Sequence, residues 1–308
     1  MISVKKFHYK RISVIILAIL FSFCLCSLVV TKLVYDHIFT RYEVSPEIPA
    51  PLQSTVDTRR ICQFASGDAM LTGYYYAAQP NEADALVVFV PGFHAGGDDY
   101  LWQIRELMDY GWDVFTFDTT GTFRSQGESQ IGFSQSLLDL QAALDYLNTQ
   151  QKFGHSQLVL MGHSRGAYAV CCALPQAQDV AAAVSISGVN SAMESVMESS
   201  VQAAGPVSYG NYGFLWLYQA SIFGADTLNL EAADAISQTD TPVLVIHGSQ
   251  DPSTSASIFS HQSQILSPQV EYLLYDAGHT DVLYDPDGTA SDGMICQIHE
   301  FLLRSIPK

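Results

Sequence analysis

Positive charge is what this chain of 308 residues most lacks: fourteen lysines and arginines stand against thirty-one acids. Four of those bases, Lys5, Lys6, Lys10 and Arg11, lie in the first eleven residues, which hold no acid. The rest therefore carries ten bases against thirty-one acids, a surface that repels phosphate backbones and argues against nucleic acid as a partner. Its expected use is solubility. Charge of either sign is only 15% of the chain against 48% apolar residues, enough to bury one large core or two modest ones. Repeats and low-complexity stretches are absent, so one globular domain with additions is expected. Cysteine is sparse as well, and no His/Cys spacing suggests zinc, so neither a metal nor a cofactor is expected. Of the six, Cys24 and Cys26 fall in an apolar run, Cys62 and Cys296 stand apart, and the adjacent Cys171 and Cys172 read as small buried residues.

The run Ile12 to Val30 contains no charged residue and is long enough to cross a bilayer core at about 1.5 Å per residue. The four bases ahead of it outweigh Lys32 and Arg41 behind it, which predicts a cytoplasmic tip and anchor over 1–35 and an outward-facing remainder. A cleaved signal peptide is the alternative, with Cys24-Leu25-Cys26 as its weak small-x-small site. Residues 36–57, with Pro46, Pro49 and Pro51, read as an extended stalk that carries the domain off the membrane.

From 58 to 308 the pattern alternates between strand and helix. Arg60 to Phe64 and Met70 to Ala77 form a hairpin pattern around Ser66-Gly67-Asp68. Ala85 to Val90, Trp112 to Phe117, Gln157 to Met161, Val180 to Ser187, Pro242 to His247 and Val270 to Tyr275 read as further strands. Asp98 to Tyr110, Gln135 to Gln150, Ala167 to Leu174, Ser253 to Leu266 and Gly293 to Ser305 read as helices. Buried strands alternating with helices predict a mainly parallel sheet covered on both faces, with reactive groups at the carboxyl ends of its strands.

Gly162-His163-Ser164-Arg165-Gly166 lies between a strand and a helix pattern. A turn this tight leaves no room for side chains on the flanking positions and thrusts the serine hydroxyl outward, so Ser164 is the candidate nucleophile. A serine needs an imidazole to take its proton, and the imidazole needs a carboxylate to fix its tautomer. His279 follows the last strand in Asp276-Ala277-Gly278-His279-Thr280, and Asp251 follows the strand before it in Gly248-Ser249-Gln250-Asp251. The developing oxyanion needs two backbone N–H groups: that of Arg165, at a helix N-terminus, and that of Phe93, in the glycine-rich loop 91–97. This loop lacks the Gly-Lys-Ser/Thr of a phosphate cradle.

Pro91-Gly92-Phe93, the Ser164 pentapeptide, His247 to Asp251 and Gly278-His279 resemble the motifs of the α/β-hydrolase superfamily, in its branch of serine esterases, lipase-like hydrolases and related peptidases. The turn Asp118-Thr119-Thr120-Gly121-Thr122-Phe123-Arg124-Ser125-Gln126-Gly127 resembles another family motif, but Phe123 stands where a second glycine is usual. Pro91 likewise stands where many members have histidine. The resemblance spans roughly 59–307. It implies an α/β-hydrolase fold and an insertion at about 189–240, where Ser191 to Ala204 and Phe214 to Phe223 read as cap helices. Met193, Met197, Tyr209, Tyr212, Phe214, Trp216 and Tyr218 are candidates to line an apolar site there, though packing of the cap explains most of them. His94, Tyr212 and Trp216 are the candidate substrate contacts. His163 and His247 are expected in the core, and His155, His261 and His299 at the surface. Arg124 and Arg165 are scarce positive charges expected near the mouth, to pair with an acid of the protein or with a substrate carboxylate. The expected partner is a small acyl compound, hydrolysed at a carboxylic ester; peptide or thioester cleavage and acyl transfer use the same groups, and a non-catalytic binding module retains the same fold.

Overall fold

Apolar runs with no polar face must be covered on both sides, and here they make the middle of a sheet. A computed structural model describes residues 2–44, 46–79, 85–253 and 255–306. Its eight strands are β1 Arg60–Ser66, β2 Ala69–Tyr76, β3 Ala85–Val90, β4 Asp113–Phe117, β5 Gln157–His163, β6 Val180–Ile186, β7 Val243–Gly248 and β8 Val270–Tyr275, in the order β1-β2-β4-β3-β5-β6-β7-β8. β2 is antiparallel to β1 and β4, and every pairing from β4 onward is parallel. The helices are α1 Ile2–Ile38, α2 Gln53–Thr58, α3 Leu101–Asp109, α4 Gln135–Thr149, α5 Arg165–Ala173, α6 Ala192–Ala204, α7 Tyr212–Phe223, α8 Ala225–Leu228, α9 Ala232–Ser237 and α10 Asp292–Ser305.

The two-residue period of β3 separates two cores. Leu86, Val88 and Val90 face α4 and α5, whereas Val87 and Phe89 face α3 and α10. The covering helices answer with apolar residues three and four apart: Leu137, Leu140, Leu144 and Leu147 on α4, and Ile295, Ile298 and Leu302 on α10. The α/β-hydrolase architecture expected from the sequence is therefore present, and the cap helices occupy the predicted interval as α6 and α7. Ser191 caps α6 by accepting the Glu194 N–H at 3.3 Å.

Three expectations are corrected. The described residues of 253–266 do not form one helix; they hold a 3-10 turn, Ile258–His261, because Ser257 accepts the Ser260 N–H and fixes a short turn instead. His155 is not a surface group: it is buried and its Nε2 lies 3.0 Å from Asp113 Oδ2. Nor do residues 36–57 form a free extended stalk. α1 runs through the expected boundary to Ile38, and Phe39 and Leu52 are buried in the domain. The Arg41 guanidinium donates to the carbonyls of Phe123, Ser125 and Gly127 at 2.8–2.9 Å, and the Tyr42 and Gly121 backbones are joined at 3.0 Å.

By length and composition, Arg11–Ile38 of α1 is long and apolar enough to cross a membrane, an 18-residue stretch of it having a mean hydropathy of 2.9. Among the described residues all six cysteines are free, and burial pushes the Cys171 thiol up to about 12.

Candidate active site

β5 ends at His163 and α5 begins at Arg165, so the chain reverses at Ser164 alone. Ser164 takes φ 55° and ψ −118°, a conformation that L-residues adopt at a cost of roughly 1–3 kcal/mol. The flanking glycines make it possible. A Cβ on Gly162 would strike the Gly166 backbone, and one on Gly166 would strike the Val90 carbonyl. β5 and α5 therefore approach more closely than side chains allow, and the hydroxyl is left at the carboxyl edge of the sheet.

Two loops bring the other groups to that edge. Gly248 lies against the Ala277 carbonyl, and the amides of Ser249 and Gln250 donate to Tyr275 and Ala277 at 2.8 and 3.0 Å. The turns after β7 and β8 are thus laced together, with Asp251 on one and His279 on the other. His279 Nδ1 lies 2.6 Å from Asp251 Oδ2, and His279 Nε2 lies 2.8 Å from Ser164 Oγ. An ionised carboxylate can only accept, so Nδ1 carries the proton and Nε2 is the acceptor facing the serine hydroxyl. Burial works to raise the Asp251 carboxyl, but the hydrogen bond and charge of His279, with the Ser253 N–H, outweigh it and hold the group below its ordinary value.

The backbone N–H groups of Phe93 and Arg165 meet no protein acceptor among the described residues. Phe93 borders both cavities that meet at Ser164, and its ring stacks on His94 with centroids 3.8 Å apart. The Arg165 side chain does not reach the mouth. It is buried, donates to Thr119 Oγ1 at 3.0 Å, lies over the Phe93 ring, and is pushed down to about 10 by burial. Arg124 is exposed and lies away from both cavities. Phe123, at the position where a glycine is usual, adopts φ 38°, the left-handed conformation that a glycine takes readily.

Each cavity has a volume of about 400 Å³. The first lies beneath the cap, with Val196, Met197, Leu215 and Phe133 among its walls; the second is bordered by Asp99, Tyr100, His163, Thr280 and Tyr284. None of the three substrate contacts expected from the sequence lines either cavity. His94 is stacked between Phe93 and Tyr42, Trp216 donates to Asn229 Oδ1 at 3.2 Å, and Tyr212 is exposed on the outside of the cap. A helix with apolar residues on every side, as α7 has, offers no periodic signal for which face turns inward.

Three contributors escaped the sequence reading. The Gly92 N–H donates to Tyr100 OH at 3.0 Å, and that hydroxyl lies 2.9 Å from His163 Nδ1. With Nδ1 accepting, His163 Nε2–H donates to the His279 carbonyl at 3.1 Å, which also accepts from Ser187 Oγ at 2.9 Å. One chain of hydrogen bonds thus joins the loop of Phe93 to the loop of His279. His163 was expected in the core, and it is there, but its partners Tyr100 and Ser187 carried no local signal. The third contributor is α1, whose last turns line the cavity beneath the cap.

Comparison with known proteins finds chains of similar sequence and fold. A family model described as serine aminopeptidase, S33, matches residues 81–209, a stretch that holds Ser164 and ends before Asp251. The proline iminopeptidase of Saccharolobus solfataricus is 30% identical over 129 residues, which are 41% of this chain and 40% of that protein. An esterase of Pyrococcus furiosus superposes with a TM-score of 0.65 at 17% identity, over 87% of this chain and 99% of that one. Est1E of Butyrivibrio proteoclasticus, solved with ferulic acid bound, gives 0.59 at 16% identity over 80% and 100%. The eight-stranded, mostly parallel sheet and these superpositions show an α/β-hydrolase fold, and residues 81–209 are similar to the serine aminopeptidase family, S33, over less than half of the chain.

Proposed function

We propose that this chain is a serine hydrolase held in a membrane by its N-terminal helix, facing outward, and that it cleaves carboxylic esters through an acyl-enzyme. The observation that carries the reading is the contact order hydroxyl, imidazole, carboxylate, at 2.8 and 2.6 Å. Ser164 attacks the acyl carbonyl while His279 Nε2 takes its proton, and Asp251 stabilises the resulting imidazolium. The amides of Phe93 and Arg165 receive the oxyanion, each such donor being worth about 2.7–4 kcal/mol in the transition state. His279 then protonates the leaving alcohol. Water enters, gives its proton to the same nitrogen, and releases the acid. No cofactor is required.

The likeness to a proline iminopeptidase and to the serine aminopeptidase model favours a second reading, removal of an N-terminal amino acid. That reaction needs an anion for the substrate ammonium. Among the described residues the cavity beneath the cap has no carboxylate on its walls, and the other has Asp99, which accepts the Gly96 N–H at 2.8 Å and is pushed up to about 6 by burial. Asp99, already engaged by that N–H, is the one carboxylate on the walls of either cavity among the described residues, and an ester leaving group demands less of the site. Side-by-side rates on a short-chain umbelliferyl ester and on prolyl and alanyl anilides test the choice. The ester is expected to lead in kcat/KM by about a hundredfold or more; anilide turnover equal to it would make the aminopeptidase reading the correct one.

A further inference from the structure

Resting on the ester reading above, the geometry points to a substrate class: we infer that the substrate is a long-chain acyl ester dissolved in the bilayer, whose chain reaches Ser164 along α1, and that this helix is a wall of the acyl site as well as an anchor. The cavity beneath the cap is closed on one side by Val30, Thr31, Val34, Tyr35, Ile38 and Phe39. These residues span roughly 13 Å of helix axis at 1.5 Å per residue. Their far end touches the catalytic apparatus directly, since the Phe39 ring meets the Phe93 ring edge-on at 5.2 Å.

The wall is fastened rather than leaning. Tyr35 is buried and its hydroxyl donates to Gln219 Oε1 at 3.2 Å; Asn211 Nδ2 donates to Thr31 Oγ1 at 2.9 Å; and the Tyr218 hydroxyl donates to Asp36, which also pairs with Lys32. Each contact joins α1 to α7 or to the turn that precedes it.

The depth of this wall follows from the sequence. Val30 ends the apolar run and lies roughly 27 Å along the helix from Ile12, close to one hydrocarbon thickness. Val34 and Ile38 then stand just beyond the outer edge of the hydrocarbon, where an acyl chain leaving the bilayer would arrive. The cap reaches from that depth toward the middle of the hydrocarbon. Phe214 of α7 packs edge-on against Phe23, in the middle of the apolar run, with ring centroids 6.3 Å apart. Val207, Tyr209, Tyr212 and Leu217, on or beside α7, are 47–79% exposed, an apolar and aromatic surface suited to the lipid interface. The cavity therefore opens between two elements that both sit against lipid, and its walls suit a hydrocarbon chain.

The test uses the full chain in phosphatidylcholine vesicles, with umbelliferyl palmitate in the bilayer and umbelliferyl butyrate in solution. Val34→Trp fills the cavity from α1, Ala203→Trp fills it from α6, and Leu33→Trp changes the lipid-facing side at the same depth. The ratio of palmitate to butyrate turnover is expected to fall about tenfold or more in the two filling variants and to stay at the wild-type value in Leu33→Trp. Far-UV circular dichroism and thermal unfolding report whether each variant has folded. At constant bulk palmitate, adding vesicle lipid should slow the wild-type enzyme as the ester is diluted in the membrane. Butyrate turnover without palmitate turnover, an unchanged ratio in both filling variants, or indifference to membrane dilution would overturn the inference and leave the ester reading standing. Turnover of neither ester would sink the ester reading itself.

Discussion

Asp251 and His163 hold His279 from opposite sides, one through its ring and the other through its carbonyl, and the two contacts have different consequences. Exchanging the carboxylate for an amide, Asp251→Asn, keeps the shape but lets the side chain donate to Nδ1, so that Nε2 carries the proton and can no longer accept the one from Ser164. Ester kcat is expected to fall about 10⁴-fold with little change in the urea midpoint. His163 acts on stability. Burial, reinforced by nearby His279, pushes its imidazole down to about 4 from an ordinary 6.5. Below 6.5 the unfolded chain binds a proton that the folded one refuses, so this contribution is complete above 6.5 and is lost as the pH falls toward 4. Between about pH 7.5 and pH 5 the wild type should lose about 2 kcal/mol more than His163→Gln in urea titrations. Equal losses would mean that His163 is not the group responsible. At this scale the sequence located Ser164, Asp251 and His279 because each follows the end of a recognisable strand. His94, Tyr212 and Trp216 were misplaced because side-chain direction in an irregular loop or an all-apolar helix leaves no period to read.

The strand-turn-helix unit around Ser164 depends on the contact between Gly166 and the Val90 carbonyl. Gly166→Ala drives a methyl group into backbone that cannot turn aside. A loss of about 1–3 kcal/mol is expected in thermal or urea unfolding, together with lost turnover as β3 and α5 separate. A variant as stable and as active as the wild type would contradict this account of the turn. The strands and main helices were legible because burial on both faces produces unbroken apolar runs and burial on one face produces three-and-four spacing. The segment that follows α1 was not. Its prolines signal an extended chain, but Phe39, Arg41 and Leu52 are single contacts at irregular spacing, and their partners lie far away in sequence. The same holds for residues 253–266, whose spacing suits a helix while the Ser257 hydroxyl and the His261 ring bind the local backbone.

At the scale of the molecule, the chain joins a basic tip, an apolar helix and an acidic domain, and in the proposed reading the helix is shared between membrane and domain. If α1 is both anchor and wall, the mature protein retains it. Membrane fractions washed with alkaline carbonate should keep the full-length chain, and mass spectrometry of it should find the residues that precede Cys26; a chain beginning after Cys26 would identify a cleaved signal instead. The α/β architecture and the apolar span were both legible from composition and pattern. Their contact was not, because it rests on Phe23 with Phe214 and Tyr35 with Gln219, pairs about 180 to 190 residues apart that no local pattern connects.

All of this requires that Ser164 be a nucleophile. Treating the intact protein with a fluorophosphonate and mapping the adduct by peptide mass spectrometry tests that requirement directly. The account predicts one adduct, on Ser164, formed rapidly by the wild type, slowed greatly in Asp251→Asn and absent in Ser164→Ala. No adduct on the wild type, or one that persists in Ser164→Ala, would contradict it and leave a binding module with a hydrolase fold.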